Sequence, residues 1–207
     1  KPARSASRPS ATAIHMSTLV DSARRAVAGE FSTDDLSRAA LMQIIQVGTS
    51  AGGARAKAAI AWNPTSGELR AGQFDVPKGF EHWLLKFDGM GPDAVAINDA
   101  TLGPGGHYGR IEYAYYLMAS AANIQMSECR LLKESGRAHF MTRRFDRDGN
   151  NKLHIQSLCA MAHLDYRLKG VHSYEQLFDT MHALGLPPED FSEAFRRIVF
   201  NYVTANC

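Results

Sequence analysis

The chain has 207 residues, 45% of them hydrophobic, with 23 basic against 21 acidic side chains and a formal net charge of +2. That length and apolar content suffice for one substantial core or two small lobes, and the near balance of charge excludes a global pull towards nucleic acid or membrane. No apolar run approaches the ~18 residues needed to cross a bilayer, so the sequence reads as a soluble protein.

Three cysteines, Cys129, Cys159 and Cys207, lie far apart and form no C-x-x-C pair. That usage favours a reducing cytosol over a secreted disulfide scaffold. Cys159 and His163 are spaced to share a helix face, but no second pair with metal-ligand spacing accompanies them. The chain starts at Lys1 and ends within an expected helix, so a piece of a longer protein is expected.

In chain order, "KPARSASRPSATAIHM" is basic and rich in Ser, Ala and Pro. It could pass for part of a transit peptide, and the reading adopted is a linker or exposed strand-and-loop region. Ser17 can cap a short helix through Leu19, Val20, Ala23 and Val27. Ser32 or Thr33 can cap a second, with Asp34 and Asp35 in its first turn and Leu36, Ala40, Ile44 and Val47 on its apolar face. Gly48 ends it.

Next comes "TSAGGARAK", with Gly52 and Gly53 for close backbone approach and Arg55 and Lys57 for charge. Phosphate binding uses those features, but neither G-x-x-x-x-G-K-[ST] nor G-x-G-x-x-G is present. Taken alone, the pattern favours a surface loop. "KAAIAW" reads as a strand, and "NPTSGE" at Asn63 to Glu68 as the turn of a hairpin. "HWLLKF" at His82 to Phe87 is a further strand carrying Lys86. A lysine there fits either snorkelling at a sheet edge or contact with ATP phosphates.

Asp88 to Gly109 is rich in Gly, Pro and Asp and reads as a long loop. A helix follows, "YGRIEYAYYLMASAANI", with Ile111, Tyr115, Met118 and Ala122 on one face. Glu112 is out of place in it. It fits either a solvent-facing glutamate or a carboxylate held for Lys86.

"SECRLLKE" and "RAHFMTRRF" read as two strands joined through Ser135 and Gly136. "FDRDGNNK" resembles an EF-hand opening, but the glycine and the twelfth residue, Ser157, do not fit, so calcium is rejected in favour of a tight turn. Helices follow from Leu158. Ser173 and Gln176 form a capping box before "YEQLFDTMHAL". Pro188 suits the start of "FSEAFRRIVFNYVTAN", with Phe191, Phe195, Ile198 and Tyr202 on one side.

The order of loop, strand lysine, helix glutamate, two strands, linking segment and helices is the layout of a kinase small lobe and the start of its large lobe. In "SAGGARAK", "HWLLKF", "IEYAYYLMA", "RRFDR", "SYEQLF" and "RRIVFNYVTAN" the chain resembles the HipA family of serine/threonine protein kinases, the toxins of bacterial toxin–antitoxin pairs. The resemblance runs from about Met16 to Cys207.

It implies an α+β, protein-kinase-like bilobal fold. Residues 1–31 would be a linker and N-terminal helix region, 32–147 the small lobe with the ATP loop, and 148–207 the incomplete start of a helical large lobe. It implies that Gly52, Gly53, Ala54, Arg55, Ala56 and Lys57 cover the ATP phosphates, that Lys86 contacts them, and that Glu112 is the ion-pair partner of Lys86. Arg143, Arg144 and Phe145 match the segment that meets adenine, mostly through backbone groups. Ser50, or its neighbour Thr49, falls where the family carries a regulatory autophosphorylated residue.

The cofactors implied are ATP and Mg. The partners implied are a small DNA-binding antitoxin of the HipB type and a protein substrate, by analogy an aminoacyl-tRNA synthetase, in a cytoplasmic setting. Arg55 and Ala56 depart from the Gln-Glu common in the family loop. The family's N-x-D-x-H-x-K-N motif would begin at Asn206, so its catalytic aspartate and metal ligands are expected beyond Cys207. The competing readings are a truncated or degenerate kinase that binds nucleotide or partner without phosphotransfer, and a small-molecule kinase.

Overall fold

The computed structural model describes residues 13–15, 17, 57–88, 107–134, 137–165, 167–168 and 170–206. The two helices expected before Gly48 and the loop from Thr49 to Ala56 lie outside the described residues. The chain divides into two compact units, Lys1–Tyr116 with Ser127–Lys152, and Leu117–Met126 with Leu153–Cys207.

The first unit is built on an antiparallel sheet with strand order β1-β3-β2-β4-β6-β5. The strands are β1 (Ala13–Ile14), β2 (Lys57–Trp62), β3 (Leu69–Ala71), β4 (Glu81–Lys86), β5 (Cys129–Glu134) and β6 (Arg137–Arg143). The turn read from "NPTSGE" forms as its chemistry dictates. The Asn63 side chain accepts the Thr65 and Ser66 N–H groups, and Gly67 takes the left-handed φ of +73° that a glycine adopts without strain.

Facing residues of an antiparallel pair share a face, so the register sorts the side chains. One face carries Ala58, Ile60, Leu69, Trp83, Leu85, Phe87 and Met141, which form the core. Trp83 meets Trp62 edge to face at 5.9 Å, and the Arg130 guanidinium lies 5.0 Å from the Trp62 ring and 5.7 Å from that of Trp83. The opposite face carries Lys57 and Lys86 directly across from each other, with Phe140 on the far side of Lys86.

Helix α1 (Tyr108–Ala121) starts at Tyr108, the first residue of the expected helical stretch and two residues inside the expected loop. Gly109 makes this possible: a Cβ there would lie 1.9 Å from the Ala138 carbonyl oxygen. Asp88, fully buried, helps hold the helix start, with its carboxylate 3.5 Å from the Gly109 N–H and 3.4 Å from that of Ala138. The expected apolar face of this helix is a correction. Ile111, Met118 and Ala122 are exposed, Tyr115 is half-buried, and Gly109 and Ala119 are the buried positions, because close backbone approach at Gly109 and a polar pairing through Glu112, rather than a greasy stripe, seat the helix.

"DRDGNN" closes as a small hairpin, β7 (Arg147–Asp148) with β8 (Asn151–Lys152), turning at Gly149 with φ +55°. Asn150 ties it to the sheet unit by accepting the Val76 N–H at 2.9 Å and donating to the Val76 carbonyl at 3.0 Å.

The second unit contains α2 (Leu158–Met161), α3 (Tyr174–Ala183) and α4 (Pro188–Val203). The Ser173–Gln176 capping box forms, and Pro188 opens α4 with Glu189 and Asp190 in its first turn. Phe178 of α3 stacks on Phe191 of α4 at 6.1 Å. On the expected apolar side of α4, Phe195 and Tyr202 are exposed. The Cys159–His163 helix-face pairing does not form, since α2 ends at Met161 and His163 takes a left-handed φ of +52°. No helix among the described residues is long and apolar enough to cross a membrane.

Candidate functional site

Lys86 sits at the end of β4, a central strand flanked by β2 and β6, so it is not a lysine snorkelling at an edge. Its Nζ donates to Glu112 Oε2 at 2.5 Å and lies 5.6 Å from the centre of the Phe140 ring. Glu112 comes from the second turn of α1, and the two side chains remain 30% and 26% exposed. The pair is therefore reachable from solvent, and Glu112 is not an isolated glutamate on a solvent face.

Lys57, the last residue of the expected phosphate loop and the first of β2, faces Lys86 across the β2–β4 ladder. Like charges placed directly opposite one another in a sheet are unfavourable. Glu112 answers Lys86 on this face, so two cations and a carboxylate are gathered at one end of the β2–β4 ladder. Gly52, Gly53, Ala54, Arg55 and Ala56, and with them Ser50 and Thr49, lie outside the described residues.

Arg143, Arg144 and Phe145 lie where β6 leaves the sheet. Their backbone is largely committed: the Arg143 N–H donates to the Glu128 carbonyl at 2.8 Å and the Arg144 N–H to the His82 carbonyl at 2.9 Å. The Arg143 side chain stands 3.5 Å from Glu81 and 3.8 Å from Glu128, while Phe145 is exposed. Arg144 does not project freely. Its guanidinium makes a two-pronged bond to the Asp146 carboxylate at 2.8 and 2.6 Å, and Arg147 donates to the same carboxylate.

Asp146 is thus the buried centre of "RFDR", a role that reading the stretch as a tight turn did not supply. The hydrogen bond from Arg144 holds its carboxyl below the usual carboxylate range, with the charges of Arg144 and Arg147 adding to the effect against burial. His82, buried beside this cluster, is held below its ordinary value by burial first and then by the charge of Arg147. Cys129, buried on β5, has its thiol pushed up by burial.

Several organising residues escaped the sequence reading. Asp88 and Gly109 seat α1 through contacts that only the folded register brings together. His139 accepts the Asp88 N–H at 2.8 Å and meets Phe87 edge to face. The sole local signal was the isolated polarity of Asp88 and His139 beside apolar strand residues.

A model of the HipA-like C-terminal domain matches residues 49–207. Among curated proteins and solved structures no match is found. The family match spans most of the chain, and the chain belongs to that family.

Proposed function

We propose that this member of the HipA-like family binds ATP on the Lys57–Lys86 face of its sheet and serves an ATP-dependent serine/threonine protein kinase of bilobal, kinase-like architecture. The observation that carries the reading is the Lys86–Glu112 ion pair on a central strand with Lys57 directly opposite. A lysine kept extended by a helix carboxylate is poised to meet a polyphosphate, and pre-positioning lowers the cost of binding.

In this reading Lys86 and Lys57 meet the phosphates, Glu112 orients Lys86, and Gly52 to Ala56 cover the nucleotide. With the N–H groups of Arg143 and Arg144 engaged within the sheet unit, adenine would be met by carbonyls of this segment or by the Phe145 backbone. Among the described residues no group of three or more His, Cys, Asp or Glu could hold a metal. Magnesium would bridge the ATP phosphates and offset their charge.

The substrate is proposed to be a protein hydroxyl, by family analogy on an aminoacyl-tRNA synthetase, with growth inhibition as the outcome and a small DNA-binding antitoxin as partner. Phosphate on Ser50, or on Thr49, would add about two negative charges beside the phosphate site and oppose ATP binding.

The test is incubation of the full-length protein with ATP and magnesium, followed by mass spectrometry. Phosphate on Ser50 or Thr49, lost in Lys86→Ala, is expected. Phosphate only elsewhere, or undiminished in Lys86→Ala, contradicts the assignment.

A further inference from the structure

The stretch from Arg144 to Lys152 lies in the sheet unit, as do Lys57 and Lys86. Main-chain bonds carry the segment after β6 only as far as Arg144, whose N–H donates to the His82 carbonyl at 2.9 Å. Further on, the hairpin of β7 and β8 is tied down through Asn150 and Val76. Between these two fastenings Phe145 and Asp146 form a turn. Neither of their N–H groups makes a main-chain hydrogen bond among the described residues. The exposed Phe145 ring adds little packing to hold them.

Side chains hold the turn instead. The Arg144 guanidinium reaches past Phe145 and grips both oxygens of the Asp146 carboxylate, at 2.8 and 2.6 Å. Arg147 donates to the same carboxylate and, at 2.9 Å, to the Asp146 carbonyl. One carboxylate therefore joins the residues on both sides of the turn. These are not solvated surface ions: the side chains of Asp146, Arg147 and Arg144 are 9%, 12% and 24% exposed. A two-pronged guanidinium–carboxylate bond fixes direction as well as distance, so Asp146 restrains the peptides on either side of Phe145.

We propose that Asp146 is a positioning residue for the nucleotide base: by closing the bridge across Phe145 it holds the Phe145 main chain, its N–H left open, where a base can meet it. The proposal rests on the reading of residues 143–145 as the segment that meets adenine. It adds that the base end of the site is set by a carboxylate that itself touches no ligand. The phosphate end is set by Lys57 and Lys86 on their own strands, so the two ends should fail separately.

The test is calorimetric titration of the full chain with magnesium–ATP and, separately, with magnesium tripolyphosphate, which lacks the base. Asp146→Ala is expected to weaken ATP binding about tenfold and to leave tripolyphosphate binding unchanged, whereas Lys86→Ala should weaken both. Any other pattern in Asp146→Ala overturns the proposal, and equal loss of both ligands is the mark of general damage to the sheet unit. Arg144→Lys keeps the positive charge but not the fork and should reproduce the split. Wild-type affinity for ATP in that variant would also overturn the proposal, because charge alone would then suffice.

Should Asp146→Ala not fold, Arg144→Lys, which spares the Arg147–Asp146 bond, is read by the same split. If the wild-type chain takes up no ATP, the nucleotide reading fails. In that case, or if it takes up ATP but no tripolyphosphate, amide hydrogen exchange decides the positioning claim alone. Faster exchange at residues 143–147 in Asp146→Ala or Arg144→Lys supports it, and unchanged exchange overturns it.

Discussion

The sheet unit and the helical unit hide their apolar side chains to different degrees. In the sheet unit Ile60, Trp83 and Leu85 are fully buried and Met141 nearly so. In the helical unit Met181, Ala119 and Ile124 are the buried hydrophobic positions among the described residues, while Leu117, Phe195, Tyr202 and Val203 are exposed. The ion pair at Lys86 stands on a strand locked by a packed face, and the helix that supplies Glu112 is fixed by backbone contacts and polar clamps rather than by a broad apolar stripe.

The largest expected effect tests the packed side of this contrast. Trp83→Ala would remove a fully buried ring in contact with Trp62 and Arg130, and a loss of about 3–5 kcal/mol is expected in urea unfolding. Next is Gly109→Ala, whose Cβ would be forced onto the Ala138 carbonyl. A cost of about 1–3 kcal/mol is expected, together with weaker protection of the first turns of α1 in hydrogen exchange. An Ala variant as stable as the wild type would mean that α1 is not seated by close approach.

A smaller effect comes from pH. His82 has its folded pKa lowered from 6.5 by burial and Arg147, so on acidification the unfolded chain takes up the proton before the folded one does. Stability of the sheet unit should be full above about pH 6.5 and fall as pH drops through the lower folded value. His82→Gln should flatten that slope, and an unchanged slope would contradict the role given to His82. The smallest effect belongs to the helical unit. Phe195→Ala, at an exposed site, should change stability by under about 0.5 kcal/mol. A loss as large as that of Trp83→Ala would abolish the contrast between the units.

Much of the sheet was legible because short apolar runs bounded by turn residues leave few alternatives. β2, the Asn63–Glu68 turn, β4, β5 and β6 fall close to where the residues put them, and the Ser173–Gln176 box marks α3. Helix α1 was legible as a helix but not as a packing surface. Its apolar residues surround it, so spacing alone selected Ile111 and Met118, both of which are exposed.

The hairpin at Arg147–Lys152 looked like a simple turn because its fastening partner, Val76, lies 74 residues away. The bonds of Glu193, Arg196 and Arg197 to the main chain of Asn123 and Gln125 also escaped the sequence, since main-chain partners leave no trace in side-chain pattern. For the site, the residues alone left Glu112 open between a solvent-facing glutamate and a partner of Lys86, and the family resemblance implied the pair, whereas the opposition of Lys57 and Lys86 required the strand register.

The central claim is that the Lys57–Lys86 face, with Glu112 behind it, is an ATP site. Its most direct test is calorimetric titration of magnesium–ATP into the wild-type chain and into Lys86→Ala. Saturable binding by the wild type, abolished or weakened at least about tenfold by the substitution, is the predicted result. Binding of equal affinity in both proteins, or no binding in either, would contradict it.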